Sequence, residues 1–180
     1  MEYNTEKDKE ELYTTIAKGY LKKHGLEHYQ FKLTNSYRLL GTCNSTRKII
    51  TLSKHHIKYS KDCEIIDTIK HEISHALADM LYGQDVGHDK RWKLVASIVG
   101  ATPKRISKQG PPHKYEIMDT RNGKLYDKYF RKPKGWRNIS TTWHLKSDPT
   151  SKGHLRLVEC EVIGLPTVNK GAYAIKRKVI

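Results

Sequence analysis

Two proline-bearing interruptions, Thr102-Pro103 and Gly110-Pro111-Pro112, constrain this fold most, because neither a regular helix nor a central strand runs through such segments. Before them, apolar residues recur with the helical period; after them, they alternate and are punctuated by turns. Charge changes at the same place. Residues 1–100 hold 16 Lys and Arg against 13 Asp and Glu, whereas residues 101–180 hold 18 against 6, so nearly all of the net charge of +15 lies in the second part. An α+β chain in two parts is expected, with 1–108 as a compact first domain and 109–180 as a basic, β-rich module. No internal repeat interrupts that reading.

The chain has the means to bury a core, since 37% of its 180 residues are hydrophobic, and this excludes a wholly disordered protein. Met1 to Glu11 is acidic and polar, and no apolar run approaches the ~20 residues that a membrane-spanning helix needs. Cys43, Cys63 and Cys160 lie far apart and never as C-x-x-C, which leaves neither a disulfide framework nor a cysteine-built zinc ribbon. A reducing, cytoplasmic setting without membrane contact is the expectation.

Within the first part, Leu12, Ile16, Tyr20 and Leu21 follow the helical period from Thr5 toward a stop at Gly25. Three short strands are expected next, around Tyr29–Leu33, Tyr37–Leu40 and Lys48–Leu52, with a turn at Asn44-Ser45-Thr46. A second helix runs from Asp62 to Gly83, and a third from Asp89 to Gly100. In the helix after Asp62, Ile69, Ile73 and Met80 fall opposite His71 and His75 at 100° per residue, so one face can be buried while the other meets a ligand.

His71 and His75 on that second face belong to the run His71-Glu72-Ile73-Ser74-His75. Two histidines four residues apart stand one helical turn apart on one face, so both imidazoles reach a single Zn²⁺, and the adjacent Glu72 is placed to serve as acid and base toward water there. A catalytic zinc keeps three protein ligands and one open position. His88, after Gly87 at the start of the third helix, is the chosen third ligand; Asp85 and Asp89 are competing carboxylates. The other seven histidines have no comparable spacing and read as surface or packing residues.

The order of a small sheet, His71-Glu72-x-x-His75, a short loop, then Gly87-His88 and an aromatic at Trp92, resembles the SprT-like (Spartan-type) zinc metalloproteases. Leu40-Gly41-Thr42-Cys43 and Arg47 to Ser53 are similar to that family's strands before the helix. The resemblance covers about residues 10 to 106. It implies a compact zincin core of helix, three-stranded sheet, HExxH helix and third-ligand helix, in which His71, His75 and His88 bind one catalytic zinc and Glu72 is the catalytic acid and base. It also implies proteolysis of DNA-bound proteins, including proteins crosslinked to DNA. Bacterial relatives commonly end in a ribbon held by four cysteines. Here only Cys160 remains beyond residue 109, so a ribbon without its cysteines has to be held by packing.

The basic part reads as two tandem β-hairpins. One flanks Arg121-Asn122-Gly123-Lys124, a strong turn signal; the other pairs Thr142–Lys146 with His154–Val158. Lys124, Lys128, Arg131, Lys132, Lys134 and Arg137 interleave with aromatics that include Trp136 and Trp143, as suits cations on phosphates and rings on unpaired bases. The leading expectation is a zinc endopeptidase acting on a protein substrate and associated with DNA or the nucleoid. The alternatives are a nucleic-acid-binding module with a structural or vestigial metal, and a zincin that cleaves other proteins independently of DNA.

Overall fold

A computed structural model of the chain describes residues 5–103, 112–164 and 174–180. It is a mixed α+β structure in two compact units, Met1–Pro111 and Pro112–Ile180. The boundary expected near residue 109 lies outside the described residues.

The first unit opens with α1 (Glu6–Lys23), whose Thr5 hydroxyl accepts a hydrogen bond from the Asp8 amide at 3.2 Å. Acidic residues in its first turn and Lys22 and Lys23 in its last complement the helix dipole. Tyr13, Ala17 and Leu21, four residues apart, form its buried stripe. Three strands follow: β1 (Gln30–Thr34), β2 (Gly41–Asn44) and β3 (Ile49–Ser53). β3 is central, parallel to β1 and antiparallel to β2, which leaves β2 on an edge.

The middle strand differs from the expectation at Tyr37–Leu40. There the chain bends, the Leu39 amide donates to the Ser36 hydroxyl at 2.9 Å, and Leu39 is exposed. Its apolar alternation does not face a core; the ladder begins only at Gly41, opposite Leu52. A short helix, α2 (Lys54–Tyr59), also escaped the periodicity because six residues are too few to show a face.

α3 (Asp62–Tyr82) and α4 (Lys90–Val99) complete the unit. Ile65, Ile69 and Ile73 of α3 enter one core with Leu26, Ile50, Leu52, Ile57, Trp92 and Val95. Met80, expected on that same buried face, is 53% exposed: it lies in the last turn, beyond the core.

The second unit is an antiparallel sheet of β4 (Tyr115–Asp119), β5 (Leu125–Tyr129), β6 (Leu155–Gly164) and β7 (Ala174–Val179), ordered β5-β4-β6-β7. The hairpin at Asn122-Gly123 joins β4 and β5. The second expected hairpin is corrected. Ile139–Thr142 is a short helix, α5, and β6 pairs with β4 and β7 instead of with residues 142–146. The two tandem hairpins of a ribbon are thereby replaced by one four-stranded sheet. Its physical cause is burial: Ile139, Ile117, Leu155 and Leu157 form a single cluster, which the helical turn caps from one side. Arg121 ties the hairpin to the segment before β6, donating to Asp119 and Asp148. Lys176, Arg177 and Lys178 are part of β7, paired with Glu161, Cys160 and Glu159.

Candidate metal centre

α3 places His71 and His75 one turn apart, and the connection to α4 brings His88 back to them. That connection turns at Gly87, whose φ of 55° lies in the left-handed region that favours glycine. The Asp85 carboxylate accepts from the Gly87 amide at 2.8 Å. Asp89 caps α4 by accepting from the Arg91 and Trp92 amides, and pairs with the Arg91 guanidinium. Both competing carboxylates are thus engaged in building the turn that presents His88.

The three Nε2 atoms form a closed triangle: His71 to His88 3.0 Å, His75 to His88 3.1 Å, and His75 to His71 3.3 Å. Hydrogen bonds alone cannot satisfy this arrangement. A ring nitrogen is either a donor or an acceptor, so among three at least two are alike and repel. A cation resolves the conflict by accepting all three lone pairs. Ligand nitrogens about 2.0–2.1 Å from a tetrahedral zinc stand roughly 3.4 Å apart, close to these separations. Burial, reinforced by neighbouring histidines, pushes the His71 and His75 imidazoles down to about 4, so they are neutral near pH 7, the form that ligates metals. The donor set therefore fits zinc.

Trp92 lies beneath the triangle, fully buried, with its ring 4.5–5.1 Å from all three imidazoles. Its indole N–H has no hydrogen-bond partner among the described residues. Glu72 is buried, and burial pushes its carboxyl up to about 8. A dication at the histidines would draw that value down.

Glu72 rests against edge strand β2. A Cβ added at Gly41 would lie 2.9 Å from Glu72 Cγ and 3.0 Å from both Glu72 Oε1 and Thr68 Cγ2. Glycine is what allows the strand this close. Thr68 is fixed in turn: its hydroxyl donates to the Glu64 carbonyl at 2.9 Å and accepts from His56 Nε2 at 2.9 Å. His56 Nδ1 lies 2.7 Å from the Ser60 hydroxyl, from which it accepts when the ring is neutral. Burial holds His56 down at about 4. Neither Gly41 nor the His56–Thr68 pair carries a local sequence signal of this role, because the contacts arise only when β2 and α2 pack on α3.

The residues considered for nucleic acid are all in the second unit. Lys124, Lys128, Arg131, Lys132, Lys134 and Arg137 are exposed. Lys132 and Arg137 sit over the Trp136 ring, 4.1 and 5.0 Å from its centroid, and Lys124 lies over Tyr126 at 5.3 Å. Trp136 and Trp143 are half-buried and pack on the core cluster.

An α+β unit whose longest helix and following turn direct three imidazoles to one point is a candidate metalloprotein. More particularly, the chain belongs to the SprT-like family, whose model matches residues 9–114, a span that includes the triangle, Glu72 and Gly41. No curated protein and no solved structure gave a match. Among the described residues, no helix is long and apolar enough to cross a membrane.

Proposed function

We propose that the protein is a zinc-dependent endopeptidase with a zincin-type core, acting on proteins bound or crosslinked to DNA. The observation that carries this reading is the closed Nε2 triangle of His71, His75 and His88 on the same helical framework as Glu72, in a member of the SprT-like family.

His71, His75 and His88 would hold the ion, which when bound supplies Lewis acidity toward the scissile carbonyl and toward water. Glu72 takes a proton from the attacking water and delivers it to the departing amine. Gly41 and Thr68 confine the Glu72 side chain, while Trp92 gives the imidazoles an apolar floor. No nucleophilic side chain is required.

DNA is proposed as the element that selects targets. The exposed cations of the second unit support phosphate contact, and the excess of 18 Lys and Arg over 6 Asp and Glu in residues 101–180 gives a field that attracts polyanions. Trp136 and Trp143, packed on their own core and with cations over Trp136, favour phosphate contact over base stacking.

The test is cleavage of a DNA-binding protein, with and without DNA, by wild type and Glu72→Gln in parallel. DNA-stimulated cleavage is expected in wild type, and a loss of about 10²-fold or more in Glu72→Gln with zinc retained. Equal cleavage without DNA would favour a zincin with other protein substrates. Bound zinc with no cleavage under any DNA condition would leave a nucleic-acid-binding protein with a structural metal.

A further inference from the structure

The second unit holds another convergence of metal-ligating atoms. His113 Nε2, a Glu116 carboxylate oxygen and Cys160 Sγ all lie within 4.8 Å of one another. The sheet register explains how. Glu116 pairs with Val158, so Cys160, two residues further along β6, is its diagonal neighbour on the same face. Arg177 stands opposite Cys160 on β7. His113 precedes β4 and reaches Glu116 Oε1 at 2.6 Å, while the Arg177 Nε donates to Glu116 Oε2 at 2.7 Å.

This face is distinct from the one that packs the hydrophobic cluster, which takes Ile117, Leu155 and Leu157. The trio is nonetheless well removed from solvent: Glu116 is 2% and Cys160 7% exposed. One nitrogen, one oxygen and one sulfur make a borderline-soft donor set, suited to zinc and its neighbours and unsuited to calcium or magnesium. Donors on a common tetrahedral ion stand roughly 3.3–3.8 Å apart, so an adjustment of about an ångström brings this trio onto one. Arg177 already fixes the second carboxylate oxygen, as outer groups do at metal sites.

We propose that His113, Glu116 and Cys160 form a second site for a zinc-class divalent cation, separate from the three histidines of the first unit. Binding displaces the Cys160 thiol proton to solvent and leaves a thiolate on the ion.

Cobalt(II) provides a readout independent of any catalysis, because only a thiolate ligand gives intense sulfur-to-cobalt absorption in the near ultraviolet, and the three-histidine site has none. The full chain loaded with Co²⁺ should show that band. Cys160→Ala should lose it and bind one ion fewer, whereas the His71→Ala/His75→Ala double variant should keep it. His113→Ala, outside the strands and so sparing the sheet, should weaken cobalt binding at the band by roughly tenfold or more. Absence of the band in wild type, or its persistence in Cys160→Ala through Cys43 or Cys63, would overturn the proposal. The result stands apart from the protease reading, which the double variant and Glu72→Gln address.

Discussion

The two clusters of ligating side chains differ in how they are satisfied without a cation. His71, His75 and His88 present three like groups that cannot all hydrogen-bond one another. His113, Glu116 and Cys160 present unlike groups, and Glu116 is already paired with both His113 and Arg177. The first arrangement is frustrated until a metal enters; the second is an ion-pair network that a metal must remodel. Tighter binding at the first site follows, together with opposite responses of the two metal-free sites to losing one member.

Acid should separate the two regions most strongly. In the first unit His56 is held neutral by burial, at about 4 against an ordinary value near 6.5. Between those values the unfolded chain binds more protons than the folded one, so stability is complete above pH ~6.5 and falls as pH drops toward 4. This residue alone accounts for about 3 kcal/mol across that window. Glu116 behaves differently. Burial opposes its ionisation, but hydrogen bonds from Arg177 and His113 outweigh that and hold it below the ordinary carboxylate range. Its contribution persists at mild acidity and is lost only as pH falls through its lowered range. In zinc-free protein His71 and His75, also held down at about 4, add to the loss in the first unit, while Glu72, held up at about 8, opposes it. Hydrogen exchange followed from pH 7 to 4 should therefore show α3 losing protection before β4 and β6, and His56→Gln should reduce the loss in α3 without abolishing it. Simultaneous loss in both regions would break the contrast.

Gly41→Ala should have the next largest effect. The added methyl meets Glu72 and Thr68 at distances that side chains do not ordinarily adopt, and overpacking of this kind costs about 1–3 kcal/mol. The variant is expected to keep zinc, because the atoms nearest the added methyl belong to Glu72 and Thr68 and not to the three histidines, but to lose cleavage through displacement of Glu72. Zinc analysis beside a rate measurement checks it; unchanged cleavage would show that Glu72 tolerates the shift.

The sequence makes the helices and the histidine triad legible because both are local: α3 and α4 are delimited by Gly83, Asp89 and Gly100, and His71, His75 and His88 lie within eighteen residues. What it conceals is long-range. Parallel pairing of β1 with β3 brings residues from two separate stretches together, and β2 starts at a glycine whose value is the space it leaves for Glu72. Likewise β6 chooses β4 over the nearer 142–146 segment because Leu155 and Leu157 join Ile117, a choice no turn signal encodes. His113 and Cys160, 47 positions apart, meet only through that pairing.

The smallest effect tests the opening contrast directly. In chelator-treated protein, His88→Ala removes one vertex of the triangle and with it the unavoidable repulsion between like nitrogens, so stability should be unchanged or slightly higher. Glu116→Gln removes the charge that Arg177 and His113 both address. Arg177 is partly exposed, and solvent screening limits the loss, which should be about 1 kcal/mol. With zinc restored, His88→Ala should become destabilised relative to wild type, since it forfeits the stabilisation that a ligand binding only the folded state confers, and Glu116→Gln should fall further behind by the share of the second site. Denaturant melts of both variants with and without zinc measure all four quantities. Destabilisation of metal-free His88→Ala by as much as Glu116→Gln would mean that the three histidines are satisfied without a cation, and would remove the main physical argument for a metal at that site.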